Sequence, residues 1–302
     1  MRSIFAAFAL CFSFILLSPT PNGAAENEYA SPKKPDSHFT IVSNAKKPTS
    51  DEIQRYLEQT WQTFHDVFDV EPAAVNVIIS VTSGAGAPSP PSGQERRAGT
   101  LQRQMPWSIK EGEALSSQRF SDLSHEITHI YFIDYMEDKG RMHQDHAWLH
   151  EAVSCYSEQD SSRKIRKQWA RDHINDRTPF EQFFTMKNPL KESPLVELTV
   201  KLTEKLNRRE ITATEMTQQI ASMAAVQSAE QSQERIRHLT YYAQSLSIFE
   251  FLLKTEGKEF IRAMSQRLKR GQSMAEIIRG LKAYPQGIPQ FEQAWTAWVQ
   301  AG

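Results

Sequence analysis

The sequence predicts an α+β fold: a small N-terminal sheet followed by a half that is almost entirely helical. Three observations predict it. Two β-branched runs, HFTIVS (38–43) and VNVIISVT (75–82), lie in the first third of the chain. From Ser116 onward, apolar residues recur at helical spacing. Strand and helix patterns are segregated instead of alternating, which argues against repeated βαβ units.

The elements follow in order. Residues 1–25 read as a secretory signal, with Arg2 as a short positive region, an apolar run from Ile4 to Leu17, and the small residues Gly23 and Ala25 before a cleavage point. The run is short for a membrane span, although an uncleaved anchor is the alternative. Removal of Cys11 with the signal leaves Cys155 alone, so no internal disulfide is expected. Export implies a periplasmic or secreted protein, with no membrane span once the signal is gone. Residues 26–37 are a polar, Pro-containing lead-in, and 38–302 read as one domain, divided into 38–140 and 141–302.

Within that domain, Ser50 opens a helix whose stripe is Ile53, Leu57, Trp61, Phe64 and Phe68. After the second strand comes a long Gly/Pro/Ser loop, 83–97. AGTLQ (98–102) and WSIKE (107–111) read as short strands flanking Pro106. Helices are then expected at 117–138, stopped by Gly140, and at 146–158, 162–173, 193–206, 211–226, 231–254, 257–268, 273–282 and 289–299. Trp295, Trp298, Phe249 and Leu252 read as core anchors. Thirty-five basic against 36 acidic residues leave a formal net charge of −1, so composition makes no electrostatic case for nucleic acid or anionic lipid.

The stretch SHEITHIYF (124–132) places His125 and His129 one helical turn apart on the same face. Both imidazoles can therefore address one metal ion. Glu126, about 100° round from His125, can serve as general base toward the attacking water. HExxH is the metalloprotease pattern of two zinc ligands and a base. Phe120, Leu123, Ile127, Ile130 and Phe132 surround these polar groups, and burial demands a compensating partner.

A catalytic zinc takes three protein ligands and keeps a fourth position for water. His143, Asp145, His146, His150, Glu151, Cys155 and Glu158 all lie just downstream. Glu151 is the strongest choice, as an inward carboxylate on the next helix, and His146 is its rival. His150, about 100° from Glu151, reads as a surface residue. Cys155, one turn beyond Glu151, reads as a small buried side chain. Glu158 either orients a ligand histidine or is solvated. Tyr242, Tyr241 and His238 are candidates to stabilise an oxyanion. The apolar stripe of their helix turns Tyr242 inward, while Tyr241 points elsewhere.

HEITH followed by WLHEAVSCYSE resembles the gluzincin metallopeptidases, the peptidase MA-like group, whose pattern is HExxH and then W-L-x-E-G-x-A-x-Y. Trp148, Leu149, Glu151 and Tyr156 match; Ala152 replaces Gly and Ser154 replaces Ala. The later YYAQSLSIFEFLLKTEGKEFIRAMSQRLKRGQSMAEII resembles the helical end of such domains and aligns Tyr242 with a family tyrosine. The similarity spans about residues 38–299. It implies a zincin-like fold with the active-site helix beneath a small sheet. It also implies one Zn2+ on His125, His129 and Glu151, Glu126 as base, Tyr242 as oxyanion donor, and a peptide or protein substrate. The strand around AGTLQ would then bind an extended substrate by strand addition. The alternatives are an envelope binding or scaffold module that keeps the metal, and a zinc hydrolase of non-peptide amides.

Overall fold

The computed structural model describes residues 38–43, 50–72, 74–82, 103–110, 116–136, 146–186 and 228–302, with scattered positions between 189 and 219. The signal segment, the lead-in, the loop 83–97, AGTLQ, Gly140, His143 and Asp145 lie outside the described residues, as do most of the expected helices 193–206 and 211–226.

The described residues are dominated by helix, which corrects the expected α+β class. Class is decided by the layers that build the core, and here those layers are helices. Helix α1 (Ser50–Phe68) is followed by α2 (Ser117–Met136), α3 (Ala147–Tyr156), α4 (Asp160–Asp172) and the short α5 (Phe180–Phe183). Beyond the partly described stretch come α6 (Ser228–Thr255), α7 (Gly257–Lys269), α8 (Met274–Arg279) and α9 (Ile288–Ala301). Among the described residues, strand is confined to one small parallel sheet of three short strands beside α1, in the order β1 (Phe39–Ser43), β2 (Val75–Thr82) and β3 (Arg103–Lys110). Phe39, Val75 and Val77 of these belong to the core, and Ile41 packs against it. The β-branched runs were a local signal for extended backbone, and local signals do not report how much of the core an element builds. β3 also runs straight through Pro106 instead of breaking there, with Pro106 opposite Ile78. Among the described residues β3 is an outer strand, the place in a sheet where proline is tolerated.

Two helices organise the body. α2 is buried nearly all round, through Phe120, Leu123, Ile127, Ile130 and Tyr131 as well as Ser121, Ser124 and Thr128. A helix with little polar face belongs inside a core. Its neighbours are mainly the helices α1, α3, α4 and α7, not a covering sheet as expected. Its hydroxyl residues allow close approach: Thr60 on α1 donates to Ser124 Oγ at 2.8 Å, and Ser162 on α4 donates to Ser121 Oγ at 2.8 Å. α6 is the second central helix, against α3, α4, α7 and α9. Phe249 and Leu252 are fully buried on it, and Trp295 of α9 donates its indole N–H to Ser247 at 3.2 Å. α3 is thus held between α2 and α6, and that placement builds the site.

Candidate metal centre

α2 carries His125 and His129, and α3 carries Glu151. Both helices are anchored around them. Trp148 and Leu149 are 1% and 0% exposed, so α3 cannot rotate without emptying its core contacts. At the far end of α3 the chain turns at Ser157, and the Gln159 backbone N–H donates to Ser121 Oγ at 3.1 Å. This bond pins the α3–α4 turn against α2 one turn before His125.

The result is a convergence of three donor atoms. His125 Nε2 lies 3.1 Å from His129 Nε2 and 3.3 Å from Glu151 Oε2, and His129 Nε2 lies 3.5 Å from the same oxygen. His125 and Glu151 are buried, whereas the His129 side chain keeps 22% of its surface exposed and marks the open side. Glu126, next along α2, is half-buried.

His125 uses its other nitrogen differently. Nδ1 is 2.8 Å from Glu158 Oε1. Because a carboxylate only accepts, Nδ1 carries a hydrogen, and Nε2 is the atom left to face His129 and Glu151. Glu158 is therefore not solvated but turned onto the ring of His125. α3 ends at Tyr156, and the carboxylate turns back from the α3–α4 turn. Arg166 on α4 grips it from the far side, with Nε to Oε2 at 2.9 Å and a second guanidinium N–H to Oε1 at 2.5 Å.

The electrostatics follow from these contacts. Burial alone would lower the His125 pKa. Its hydrogen bonds with Cys155, Glu151 and Glu158 outweigh burial and raise it well above the ordinary imidazole value. Burial pushes Glu151 up, but the charge of His129 and hydrogen bonds from both histidines hold it well below the usual carboxylate range. Burial also opposes ionisation of Glu158. Arg166, followed by the bond to His125, overcomes it and brings the pKa down to about 2. The ionised carboxylates of Glu151 and Glu158 make a pocket that favours positive charge, whether a proton on the His125 ring or a metal ion in its place.

The donor set fits zinc on two counts. Ligands 2.0–2.1 Å from a tetrahedral ion stand roughly 3.3–3.4 Å from one another, and the three separations here bracket that spacing. Two imidazoles with one carboxylate is also a combination that catalytic zinc uses, with a position left for water.

The remaining candidates are placed as follows. His146, the rival third ligand, is buried elsewhere with Nε2 3.0 Å from the Leu268 carbonyl, and belongs to neither metal-competent group. Cys155 is fully buried with Sγ 4.0 Å from His125 Nδ1, on the Glu158 side of the ring. Burial raises its thiol pKa, with Arg166 only partly opposing. His150 is half-buried, with its ring 6.2 Å from that of His129 and edge-on to Phe132, so it rims the site. Tyr242 sets its ring edge-on to His125 at 5.9 Å. Tyr241 does not point away as expected. It is 3% exposed, packs on Phe183, and its pKa is raised by burial and by the Glu151 charge. α6 is enclosed on several sides, so a single inward stripe does not describe it. His238 is buried one turn earlier, and burial lowers its pKa.

Arg166 was missed. RKIRK (163–167) reads as a solvated charged face. The signal that would have found it is the stripe Ser162, Arg166, Ala170 at four-residue spacing, whose outer members are both buried. A basic groove between α4, α6 and α9, lined by Lys164, Lys167, Arg171 and Lys254, contains none of the site residues. Among the described residues no helix is long and apolar enough to cross a membrane. Comparison with protein-family models, curated proteins and solved structures finds no match to this chain.

Proposed function

We propose that the protein is a zinc-dependent metallopeptidase of gluzincin type, exported to the periplasm or beyond, that hydrolyses peptide bonds. One observation carries the reading: the nitrogens of His125 and His129 and an oxygen of Glu151 converge at 3.1–3.5 Å, with Glu126 beside them on α2.

In this reading His125, His129 and Glu151 hold the ion. When bound, zinc supplies Lewis acidity, which polarises the scissile carbonyl and makes water acidic enough to attack near neutral pH. Glu126 accepts the proton from the attacking water and delivers it to the leaving amine. Its half-buried position leaves it accessible to substrate, and a purely structural zinc would have no use for it. Tyr242, beside His125, donates its hydroxyl to the carbonyl oxygen as negative charge develops there. His129 and His150 lie on the side from which substrate enters.

The test is metal analysis of the purified protein together with a peptide-library cleavage screen, wild type against Glu126→Gln. The variant should keep fold and zinc and lose hydrolysis by about 100- to 10,000-fold, because an amide cannot accept the proton. Wild type that holds zinc but cleaves no peptide would move the assignment to a binding module or to a hydrolase of other amides. Wild type that holds no metal would overturn it.

A further inference from the structure

The Glu158–Arg166 pair does more than neutralise itself. Glu158 is buried, with its side chain 2% exposed, and both of its oxygens are engaged. Oε1 takes the His125 Nδ1–H at 2.8 Å and one Arg166 N–H at 2.5 Å, while Oε2 takes the Arg166 Nε–H at 2.9 Å. The same guanidinium lies over the Tyr242 ring, with Cζ 5.0 Å from its centroid. Tyr242 in turn stands edge-on to His125. The four side chains form a closed circuit drawn from α2, the α3–α4 turn, α4 and α6.

His125, Cys155 and Glu158 also bring one donor atom each close together, which raises the question of a second cation. The circuit excludes it. Arg166 occupies both Glu158 oxygens with a permanent positive charge, and the Nδ1 hydrogen points into the same space.

We propose that Arg166 is a positioning residue that couples the orientation of His125 to that of Tyr242. Through Glu158 it fixes His125 with Nε2 toward His129 and Glu151, and through its planar face it fixes the ring of Tyr242. Both actions need the properties of arginine. The fork spans two carboxylate oxygens, and the flat guanidinium stacks on an aromatic face, whereas a lysine ammonium does neither well. The inference rests on reading His125 as a metal ligand, but the circuit is made wholly of this chain's own side chains and is testable on its own.

The experiment compares wild type with Arg166→Lys, Glu158→Asp and, as control, Arg163→Lys. Arg163 lies over Tyr156 and pairs with Asp160, outside the circuit. Circular dichroism and melting verify that each variant is folded. In metal-free protein carrying 13C-labelled His and Tyr rings, Arg166→Lys should shift the signals of both His125 and Tyr242. Glu158→Asp should move chiefly His125, and Arg163→Lys neither. In chelator competition, Arg166→Lys and Glu158→Asp should each weaken zinc binding by about 10- to 100-fold. The double variant should lose no more than the weaker-binding single one, because both act through one contact. On a cleavable peptide, Arg166→Lys should lower kcat more than it changes KM. Unmoved His125 and Tyr242 signals in folded Arg166→Lys overturn the proposal, as does additive loss in the double variant. If wild type binds no zinc while the ring signals move together, the metallopeptidase reading fails and the coupling stands.

Discussion

Zinc should stabilise the folded protein, and Glu151→Gln should abolish that effect. The three donor atoms already stand at 3.1, 3.3 and 3.5 Å from one another. Two of the three side chains are at least nine-tenths buried, and the helices that carry them are fixed by Trp148, Leu149 and the Ser121–Gln159 bond. Little ordering therefore remains to be done when the ion binds, and the binding free energy appears as folding free energy. Free zinc at 100 times Kd stabilises by about 2.7 kcal/mol. At roughly 2–4 °C per kcal/mol for a large domain, the melting temperature rises by about 5–10 °C. Glutamine keeps the shape of Glu151 but removes the anionic ligand, so the rise should vanish. The chelated variant should also melt below chelated wild type, since two histidines lose the carboxylate they face. Differential scanning calorimetry with buffered zinc and with chelator reads all four states. Wild type that melts at the same temperature in zinc and in chelator would refute the reasoning. So would a variant that keeps the zinc shift while His146→Ala loses it.

Tyr242→Phe should reduce kcat by about 100- to 1,000-fold with little change in KM, as expected when an oxyanion donor is lost. Steady-state kinetics of Tyr241→Phe alongside it decides between the two tyrosines, and a larger kcat loss in Tyr241→Phe would transfer the role. Cys155→Ser should leave zinc content unchanged. A thiolate-to-metal charge-transfer band in the cobalt-substituted wild type would contradict this, because a fourth protein ligand closes the site to water. Acid should act through Glu158. Its folded pKa of about 2 lies below the ordinary 4.5, so its contribution to metal-free stability is full above about pH 4.5 and fades as pH falls toward 2. Denaturant melts across that interval should show a flatter pH dependence in Glu158→Gln, and equal slopes would argue against an ionised Glu158.

The sequence by itself determined those features that depend on neighbours within a turn or two. HExxH on a 3.6-residue period places His125 and His129 on one face wherever the helix packs. The helices expected at 117–138 and 257–268 correspond to α2 and α7 within two residues. Ser273 and Glu276 form the capping box that opens α8. Glu151 was legible as an inward carboxylate because Trp148, Ala152 and Cys155 mark the packed face of its helix at i, i+4 and i+7. Tertiary structure decided everything that depended on what lies across an interface. The weight of helix over sheet was such a property, since β-branched runs report backbone preference and not the share of the core they build. The burial of Tyr241 was another, because α6 is enclosed by helices whose approach no single stripe records. The roles of Glu158 and Arg166 were the furthest from view. A turn after Tyr156 returns the carboxylate to His125, and α4 lies close enough to α2, through Ser121 and Ser162, for an arginine in a charged run to lie inside. Two hydroxyls and one turn set that approach, and their effect exists only once three helices have packed.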